Sequence, residues 1–145
     1  MAHTTQPLPI LSPDNASFWE GCRNGQLLLQ RCTGCAAWRY LPAPVCSRCA
    51  ATEAVWTPTS RKGRIHSFVI YHRAFHPAYV QEVPYAVALV ELDEGVRLLL
   101  RVVDSPLDAL AIETPGEVRF LPLTEEISLP VFAPLGKPSS YQPTA

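Results

Sequence analysis

Lysine and long apolar runs are scarce in this sequence, and both absences limit what the protein can do. Only two of its 12 basic residues are lysine, and with 13 acidic residues its formal net charge is −1. A balanced, slightly acidic chain offers no electrostatic basis for binding nucleic acid or an anionic membrane. No stretch approaches the roughly 18 apolar residues of a membrane-spanning helix. Residues 1–9 lack the basic and apolar segments of a secretory signal, so we expect a cytoplasmic protein.

Signals for long helices are also few. The chain has 15 prolines in 145 residues, about twice the average share, and a proline inside a helix removes a hydrogen bond and clashes with the preceding turn. Hydrophobic residues make up 48% of the chain, which suffices for a packed core in one ordinary domain or two small ones. The composition therefore favours a mainly β fold with short strands.

Cysteine, in contrast, is concentrated in one stretch. Cys32 and Cys35 form one Cys-x-x-Cys pair, and ten residues later Cys46 and Cys49 form a second. Two such turns facing each other predict four thiolates around one metal ion. Zn²⁺ suits this soft, closed site, and iron is possible because the spacing does not separate the two metals. A closed site has no open position for substrate, so we expect a structural ion.

Other interpretations of the cysteines stay open. Disulfides are disfavoured in the reducing compartment expected here, and a redox-active pair is the more distant alternative. The fifth cysteine, Cys22, has only Arg23 beside it to activate a thiolate. We therefore expect Cys22 to be a buried apolar thiol and not a catalytic one.

A short helix is predicted before the cysteine pairs. Ser12, followed by proline, is a typical helix start, with Asp14 as an alternative cap, and Gly25 is a typical stop. Its large apolar residues are Phe18 and Trp19. They either pack on the rest of the chain or meet a partner protein, because a short lone helix has little core of its own.

Strand patterns follow on both sides of the cysteines. Strands at 26–31, 38–42 and 55–57 would make a small three-stranded ribbon over residues 26–60, after an arm and helix in residues 1–25. A subdomain of this size cannot build a sufficient apolar core. The metal ion would therefore supply much of its folding energy.

The pattern beyond the ribbon predicts five further strands. They lie at 65–71, 85–92, 96–103, 117–123 and 127–132. A tight turn at 93–95 joins the second and third, and a short helix near Ser105 separates the third and fourth. This is the order of a five-stranded OB-fold barrel. We expect the barrel at 61–134 and a disordered tail at 135–145.

With these elements in place, the chain resembles a family of proteins with an N-terminal helix, a rubredoxin-like zinc ribbon and an OB-fold, long labelled a domain of unknown function. The resemblance covers residues 12–134, and its parts occur in the family's order. The matching segments are 18–19, 27–32, the four paired cysteines, 63–68, 72–78, 83–85, 90–96 and 129–132.

The resemblance implies a non-catalytic subunit in a complex that makes or breaks carbon–carbon bonds of acyl-CoA thioesters. Family members accompany thiolase-like enzymes, among them thiolases of archaeal mevalonate synthesis and of benzylsuccinate breakdown, and sterol side-chain aldolases. Others are fused to or bound by hydratase-like proteins or acyltransferases. The chain would form a hetero-oligomer with a thiolase-like partner, stabilise it and help form or gate its CoA site.

Two departures from the family pattern concern glycine. The family carries glycine after the second cysteine of each pair, where this chain has Ala36 and Ala50. Alanine still allows the turn, so the predicted metal site stands. The family also has glycine before the fourth barrel strand, where this chain has Glu113, with Gly116 three residues later. We therefore expect the bulge at this strand to shift.

The remaining candidate ligand residues lie in a long loop at 73–84. Loops of this kind on OB-folds bind ligands. Arg73 is placed to pair with a CoA phosphate, His76 to donate to one, and Tyr79 lies beside them. The alternatives are that the loop contacts the partner protein, as Phe18 and Trp19 would, or only packs on the barrel.

Two other functions compete with the accessory role. Zinc ribbons and OB-folds recur in nucleic-acid-binding modules, which would require a basic groove with stacking aromatics that the charge balance does not favour. A stand-alone protein that binds or hydrolyses acyl-CoA would need a nucleophile and a base, and no such pair is evident in the sequence.

Overall fold

The protein is described by a computed structural model that covers residues 6–135. It contains one helix, eight strands and two single-turn 3₁₀ helices. The elements are α1 (Ala16–Arg23), β1 (Leu28–Cys32), β2 (Trp38–Arg39), β3 (Ala54–Pro58), β4 (Lys62–Tyr71), η1 (Pro77–Tyr79), β5 (Tyr85–Leu92), β6 (Arg97–Val102), η2 (Leu107–Ala109), β7 (Pro115–Pro122) and β8 (Ser128–Pro134). Beyond Leu135, the predicted tail lies outside the described residues.

Helix α1 begins at Ala16, four residues after the predicted cap at Ser12. The side chain of Asn15 explains the delay, because it accepts the Ser12 amide at 2.8 Å and donates to the Ile10 carbonyl at 3.0 Å. These bonds hold residues 12–15 in a turn that precedes the helix. The end is as predicted: Gly25 has a φ of +76°, a left-handed conformation that glycine adopts without strain.

The cysteine region forms a separate three-stranded antiparallel sheet, as predicted. Its strand order is β2-β1-β3, so β1 is central. Gln30 in β1 lies opposite both Arg39 in β2 and Trp56 in β3. Strand β2 is only two residues long, shorter than the predicted strand at 38–42, because the chain bends at residues 40–41 and the Ala43 amide then donates to the Gln30 side chain.

The five remaining strands close into a barrel with the order β4-β5-β6-β8-β7. Closure brings Gly63 of β4 directly opposite Gly116 of β7. A Cβ on Gly63 would lie 2.5 Å from the Glu91 carbonyl oxygen, and a Cβ on Gly116 would lie 2.4 Å from that of Ala133. The strands meet so closely here that only glycine fits. The mainly β fold, with its ribbon and five-stranded barrel, is confirmed.

The helix belongs to the barrel side of the molecule. Phe18 and Cys22 from α1 join Leu29 from β1 and the inner side chains of the barrel in one buried cluster. Its other members are Leu27, Ile65, Ala86, Ala88, Val90, Leu92, Leu98, Leu100, Val102, Val118 and Phe132. No helix in the described part of the chain has the length and apolarity needed to cross a membrane.

Candidate metal centre and aromatic loop

The four paired cysteines converge on one point. Their sulfur atoms all lie within 4.8 Å of one another, with 3.5 Å between Cys32 and Cys49 and 3.7 Å between Cys35 and Cys46. These separations are too long for disulfide bonds of about 2.05 Å. A tetrahedral ion with metal–sulfur bonds of about 2.3 Å requires sulfurs roughly 3.8 Å apart. The donor set and its spacing therefore fit one four-coordinate metal ion, as predicted.

The two cysteine turns have matching backbone hydrogen bonds. The amide of Gly34 donates to Cys32 Sγ at 3.3 Å, and the amide of Arg48 donates to Cys46 Sγ at 3.4 Å. The carbonyl of each first cysteine accepts the amide four residues later at 3.0 Å. Each turn thus aims amide donors at a sulfur, which favours the thiolate that a metal requires.

Alanine adopts the backbone conformation that glycine would supply in these turns. Ala36 and Ala50 both have a φ of +61°, in the left-handed region. An alanine in this region costs roughly 1 kcal/mol or more. The interpretation that the turns form without glycine is correct. It follows that each turn carries local strain that the rest of the site must outweigh.

A non-glycine residue also adopts the left-handed conformation just before the fourth barrel strand. Glu113, which stands where the family has glycine, has a φ of +67°. Its amide donates to the Ile65 carbonyl at 2.7 Å, and its side chain pairs with Arg64 at 3.2 Å. Glu113 therefore takes the left-handed turn itself, and β7 begins at Pro115, two residues before the predicted start.

Hydrogen bonds lower the pKa of the two buried ligand thiols. The pKa of Cys32 is lowered to about 6, chiefly by the Cys35 amide, with burial acting in the opposite direction and the Arg39 guanidinium adding to the lowering. The pKa of Cys46 is lowered chiefly by the Cys49 amide. At these two thiols a lowered pKa reduces the proton release that opposes metal binding near neutral pH, whereas the pKa of Cys49 is raised to about 11.

Cys22 has the opposite environment. It is fully buried in the apolar cluster, and the loss of hydration raises the pKa of its thiol to about 12. A thiol that stays protonated at neutral pH is a poor nucleophile. The prediction that Cys22 is a packing residue agrees with this position.

A second group of candidate residues is assembled by the loop between β4 and β5. His76 Nδ1 accepts the Ala78 amide at 3.1 Å and so starts η1. The centre of the His76 ring lies 6.1 Å from that of Tyr79, and the Tyr79 and Tyr85 ring centres are 5.7 Å apart. Tyr85 in turn stacks on Tyr71, with 5.1 Å between their ring centres. We call this set, together with Arg73 and Phe75, the aromatic loop.

The outer end of the aromatic loop combines an exposed ring with a cation. The Phe75 side chain is 78% exposed, and the guanidinium of Arg73 lies 6.0 Å from its ring centre. At the inner end, Arg101 lies 5.0 Å over the Tyr85 ring and pairs with Glu82. Of the three loop residues singled out from the sequence, His76 and Tyr79 contact each other, whereas Arg73 contacts Phe75.

Phe75 and Arg101 were not among the predicted site residues. A spacing of four from Tyr71 to Phe75 to Tyr79 was visible in the sequence and could have identified the ring cluster. Arg101 could not have been found in this way, because its approach to Tyr85 depends on the pairing of β5 with β6.

The two helix residues proposed for partner contact lie elsewhere. Phe18 is 8% exposed and belongs to the buried cluster, so it does not form an accessible surface. Trp19 is half-buried and meets Phe18 edge-on at 5.1 Å. Phe18 therefore packs on the chain itself, and only Trp19 has surface to offer.

An apolar face adjoins the aromatic loop on the outside of the barrel. Val69 in β4 lies opposite Val87 in β5, and Leu89 in β5 lies opposite Leu99 in β6. Val69 is 55% and Leu99 68% exposed. We call these four residues the outer face. An apolar group of this kind on three adjacent strands is a feature of interaction surfaces.

Comparisons with known proteins agree with this architecture. Residues 19–54 match the sequence profile described as "ChsH2, rubredoxin-like zinc ribbon domain", and residues 56–121 match "ChsH2, C-terminal OB-fold domain". The solved structure "Ltp2-ChsH2(DUF35) aldolase" contains a chain 35% identical to this one, with a TM-score of 0.80. The match covers 88% of this chain and 98% of that chain. This chain belongs to the DUF35 family.

The curated relatives of this chain have different names. This DUF35 chain is 36% identical over 129 residues to a "Probable enoyl-CoA hydratase alpha subunit" of Thermomonospora curvata. That match covers 89% of this chain but only 40% of the relative's length. A "DUF35 domain-containing scaffold protein" of Methanocaldococcus jannaschii is 27% identical over 97 residues, covering 66% of this chain and 68% of that protein.

Proposed function

We propose that this chain is a non-catalytic accessory subunit of a thiolase-like enzyme that makes or breaks a carbon–carbon bond of an acyl-CoA thioester. The supporting observation is the similarity to a chain of an aldolase assembly, which extends over 98% of that chain at 35% identity. The scaffold name of an archaeal relative points in the same direction. The proposed cellular setting is a hetero-oligomer, in which the partner carries the catalytic groups.

The outer face is the proposed docking surface for this partner. Val69 and Leu99 present apolar side chains to solvent, and the ion pairs of Glu91 with Arg64 and Arg97 lie at one end. An apolar centre beside polar groups is the usual anatomy of a protein interface. Burial of such a centre against an apolar strip on the partner would stabilise the complex.

The aromatic loop is the proposed contribution to the CoA site. Arg73 supplies a guanidinium suited to a phosphate, and the exposed Phe75 ring beside it is suited to stacking on a base. His76 and Tyr79 would help to position the loop, since they pack against each other and Tyr79 packs on Tyr85. In the complex, the loop would lie at the entrance to the partner's active site.

The proposed occupant of the four-cysteine site is Zn²⁺ in a structural role. Cys32, Cys35, Cys46 and Cys49 supply the full tetrahedral set, so the ion has no position left for substrate. The metal would hold the ribbon in shape and take no part in the chemistry of the acyl-CoA substrate.

A hydratase partner is the second candidate, because the relative of Thermomonospora curvata is named a hydratase alpha subunit. The chain corresponds to 40% of that protein. This candidate keeps the accessory role and changes only the class of enzyme.

Co-purification tests the proposal. The tagged chain is expressed with the genes encoded beside it, and proteins that elute in stoichiometric amount are identified by mass spectrometry. We expect a thiolase-like protein whose activity requires this chain. Recovery of a hydratase would favour the second candidate, and elution of the chain alone, with its metal bound, would contradict both.

A matched pair of variants tests the docking surface. Val69→Arg and Val55→Arg each replace an exposed strand valine with a charged residue. The two valines are similarly exposed, at 55% and 58%, but Val55 lies on the ribbon, away from the outer face. We expect Val69→Arg to weaken partner binding by about 10-fold or more, as for the centre of an interface. Val55→Arg should bind like the wild type, and equal effects would contradict the assignment.

A further inference from the structure

Arg39 is a buried cation in the middle of the ribbon. It lies in β2 opposite Gln30, and only 7% of its surface is exposed. A guanidinium without water around it is costly unless hydrogen bonds and an opposite charge compensate it. The compensation must come from the groups that surround Arg39 in the ribbon.

The two terminal nitrogens have oxygen partners. Nη1 donates to the Ala43 carbonyl at 3.1 Å, and Nη2 donates to the Ala51 and Glu53 carbonyls at 3.0 and 3.2 Å. The Ala51 carbonyl also accepts the Cys46 amide at 2.9 Å. These bonds connect Arg39 to the backbone of the second cysteine turn. They are bonds to neutral groups, however, and leave the charge itself uncompensated.

The remaining nitrogen, Nε, is buried and has no hydrogen-bond partner among the described residues. Buried donors of this kind are rare and require an explanation. The bonds of Nη1 to Ala43 and of Nη2 to Ala51 hold the guanidinium beside the cysteine turns, where its charge interacts with the Cys32 and Cys46 thiols. These two sulfurs are the buried pair, since Cys32 and Cys46 are 3% and 4% exposed while Cys35 and Cys49 face solvent.

The charge of the filled site completes the explanation. Four thiolates around a divalent ion have a net charge of −2, and the buried side of this anion faces Arg39. We propose that Arg39 is the built-in counter-cation of the metal centre, with Nε–H, its unpartnered donor, bonding to a buried thiolate of the filled site. The inference rests on the four-cysteine site alone and is independent of any partner enzyme.

Metal affinity is the first test. Groups that hydrogen-bond to metal ligands typically affect affinity by about 10- to 100-fold. We therefore expect Arg39→Met to weaken Zn²⁺ binding by this factor in competition with a chelator. Arg39→Lys, which keeps the charge but loses the fork of donors, should fall between Arg39→Met and the wild type.

Arg48→Met is the matched control. It removes the same charge from the exposed surface of the second turn, and its backbone amide still donates to Cys46 Sγ. Because solvent screens an exposed charge, we expect Zn²⁺ affinity close to that of the wild type. Equal losses in Arg39→Met and Arg48→Met would overturn the proposal.

Reduction potential separates a counter-cation from a residue that only braces the backbone. With iron in the site, the reduced form carries one more negative charge than the oxidised form, and nearby charges and hydrogen bonds to sulfur set the potential. Arg39→Met should therefore lower the potential, and Arg48→Met should leave it nearly unchanged. An unchanged potential in a folded Arg39→Met protein would show that Arg39 is only a brace.

The wild-type protein provides a test that does not depend on the folding of a variant. With an NMR-active cadmium isotope in the site, a hydrogen bond from Nε–H to a bound sulfur transmits scalar coupling between cadmium and that proton. We expect this coupling at the Arg39 Nε–H, as well as at the Gly34 and Arg48 amides. Coupling at the two amides without coupling at Arg39 would contradict the assignment.

Discussion

The ribbon and the barrel of this chain are stabilised by different interactions. The barrel, with α1, buries a continuous cluster that includes Ile65, Val90 and Phe132. The part of the ribbon that carries the cysteine turns, in contrast, buries two metal ligands, Cys32 and Cys46, and one cation, Arg39. The difference indicates that the barrel folds through the hydrophobic effect, whereas the ribbon requires its metal ion.

Loss of the metal should have the largest effect, and it should be confined to the ribbon. Structural Zn²⁺ contributes about 10–16 kcal/mol of apparent binding free energy in small metal-dependent folds. We expect Cys46→Ser to abolish stoichiometric metal binding and to remove hydrogen-exchange protection from the amides of β2 and both cysteine turns. The amides of β5 and β6 should remain protected.

Ser47→Ala is the control for this experiment, because Ser47 is exposed in the same turn and is not a ligand. It should keep both the metal and the protection pattern. Loss of protection in β5 together with the ribbon in Cys46→Ser would show that the two regions unfold as one unit.

Truncation of the helix should affect the barrel and leave the metal site intact. Phe18 is 8% exposed within the barrel cluster, and Phe→Ala in a core costs about 3–5 kcal/mol. We expect Phe18→Ala to lower the free energy of unfolding of the barrel by an amount in this range, measured by denaturant titration. Metal content should stay at one ion per chain. If Phe18→Ala lost its metal as well as barrel stability, the ribbon and the barrel would not be stabilised independently.

The barrel closure offers a smaller perturbation. A methyl group at Gly116 would lie 2.4 Å from the Ala133 carbonyl oxygen and 2.5 Å from the Phe132 ring, and overpacking typically costs about 1–3 kcal/mol. We expect Gly116→Ala to destabilise the barrel by at least this amount in the same titration. Ser67→Ala, on the exposed side of β4, should be nearly neutral.

The smallest predicted effect is an increase in stability. Ala36 and Ala50 have a φ of +61°, which glycine adopts with less strain, although glycine also raises the entropy of the unfolded chain. We expect Ala36→Gly and Ala50→Gly each to raise stability of the metal-bound ribbon by about 0.5–1 kcal/mol. Ala37→Gly, at a neighbouring position without positive φ, should lower it.

Much of this architecture was predictable because its signals are local. The spacing of Cys32 to Cys49 specifies the metal site, and a short apolar run that ends at a tight turn specifies a strand such as β5. The glycine stop at Gly25 is equally local. Each of these features depends on residues that are close in the sequence.

Two features that the sequence did not reveal depend on contacts between distant segments. The burial of Arg39 requires the folded cysteine turns, and the left-handed turn at Glu113 is held by a bond from its amide to the Ile65 carbonyl. At these two positions, tertiary contacts outweigh local preference. The delayed helix start is different, because the bonds of Asn15 to Ser12 and Ile10 are local and compete with the predicted cap.

Thiol counting on the metal-free protein tests the division between ribbon and barrel most directly. The chain has five cysteines, of which Cys22 lies in the barrel cluster with a thiol pKa raised to about 12 by burial. After chelation at neutral pH, we expect the four ligand thiols to react rapidly with an aromatic disulfide reagent and Cys22 to stay protected until denaturant is added. Rapid reaction of all five thiols would contradict the account, because it would show that the barrel unfolds when the metal is removed.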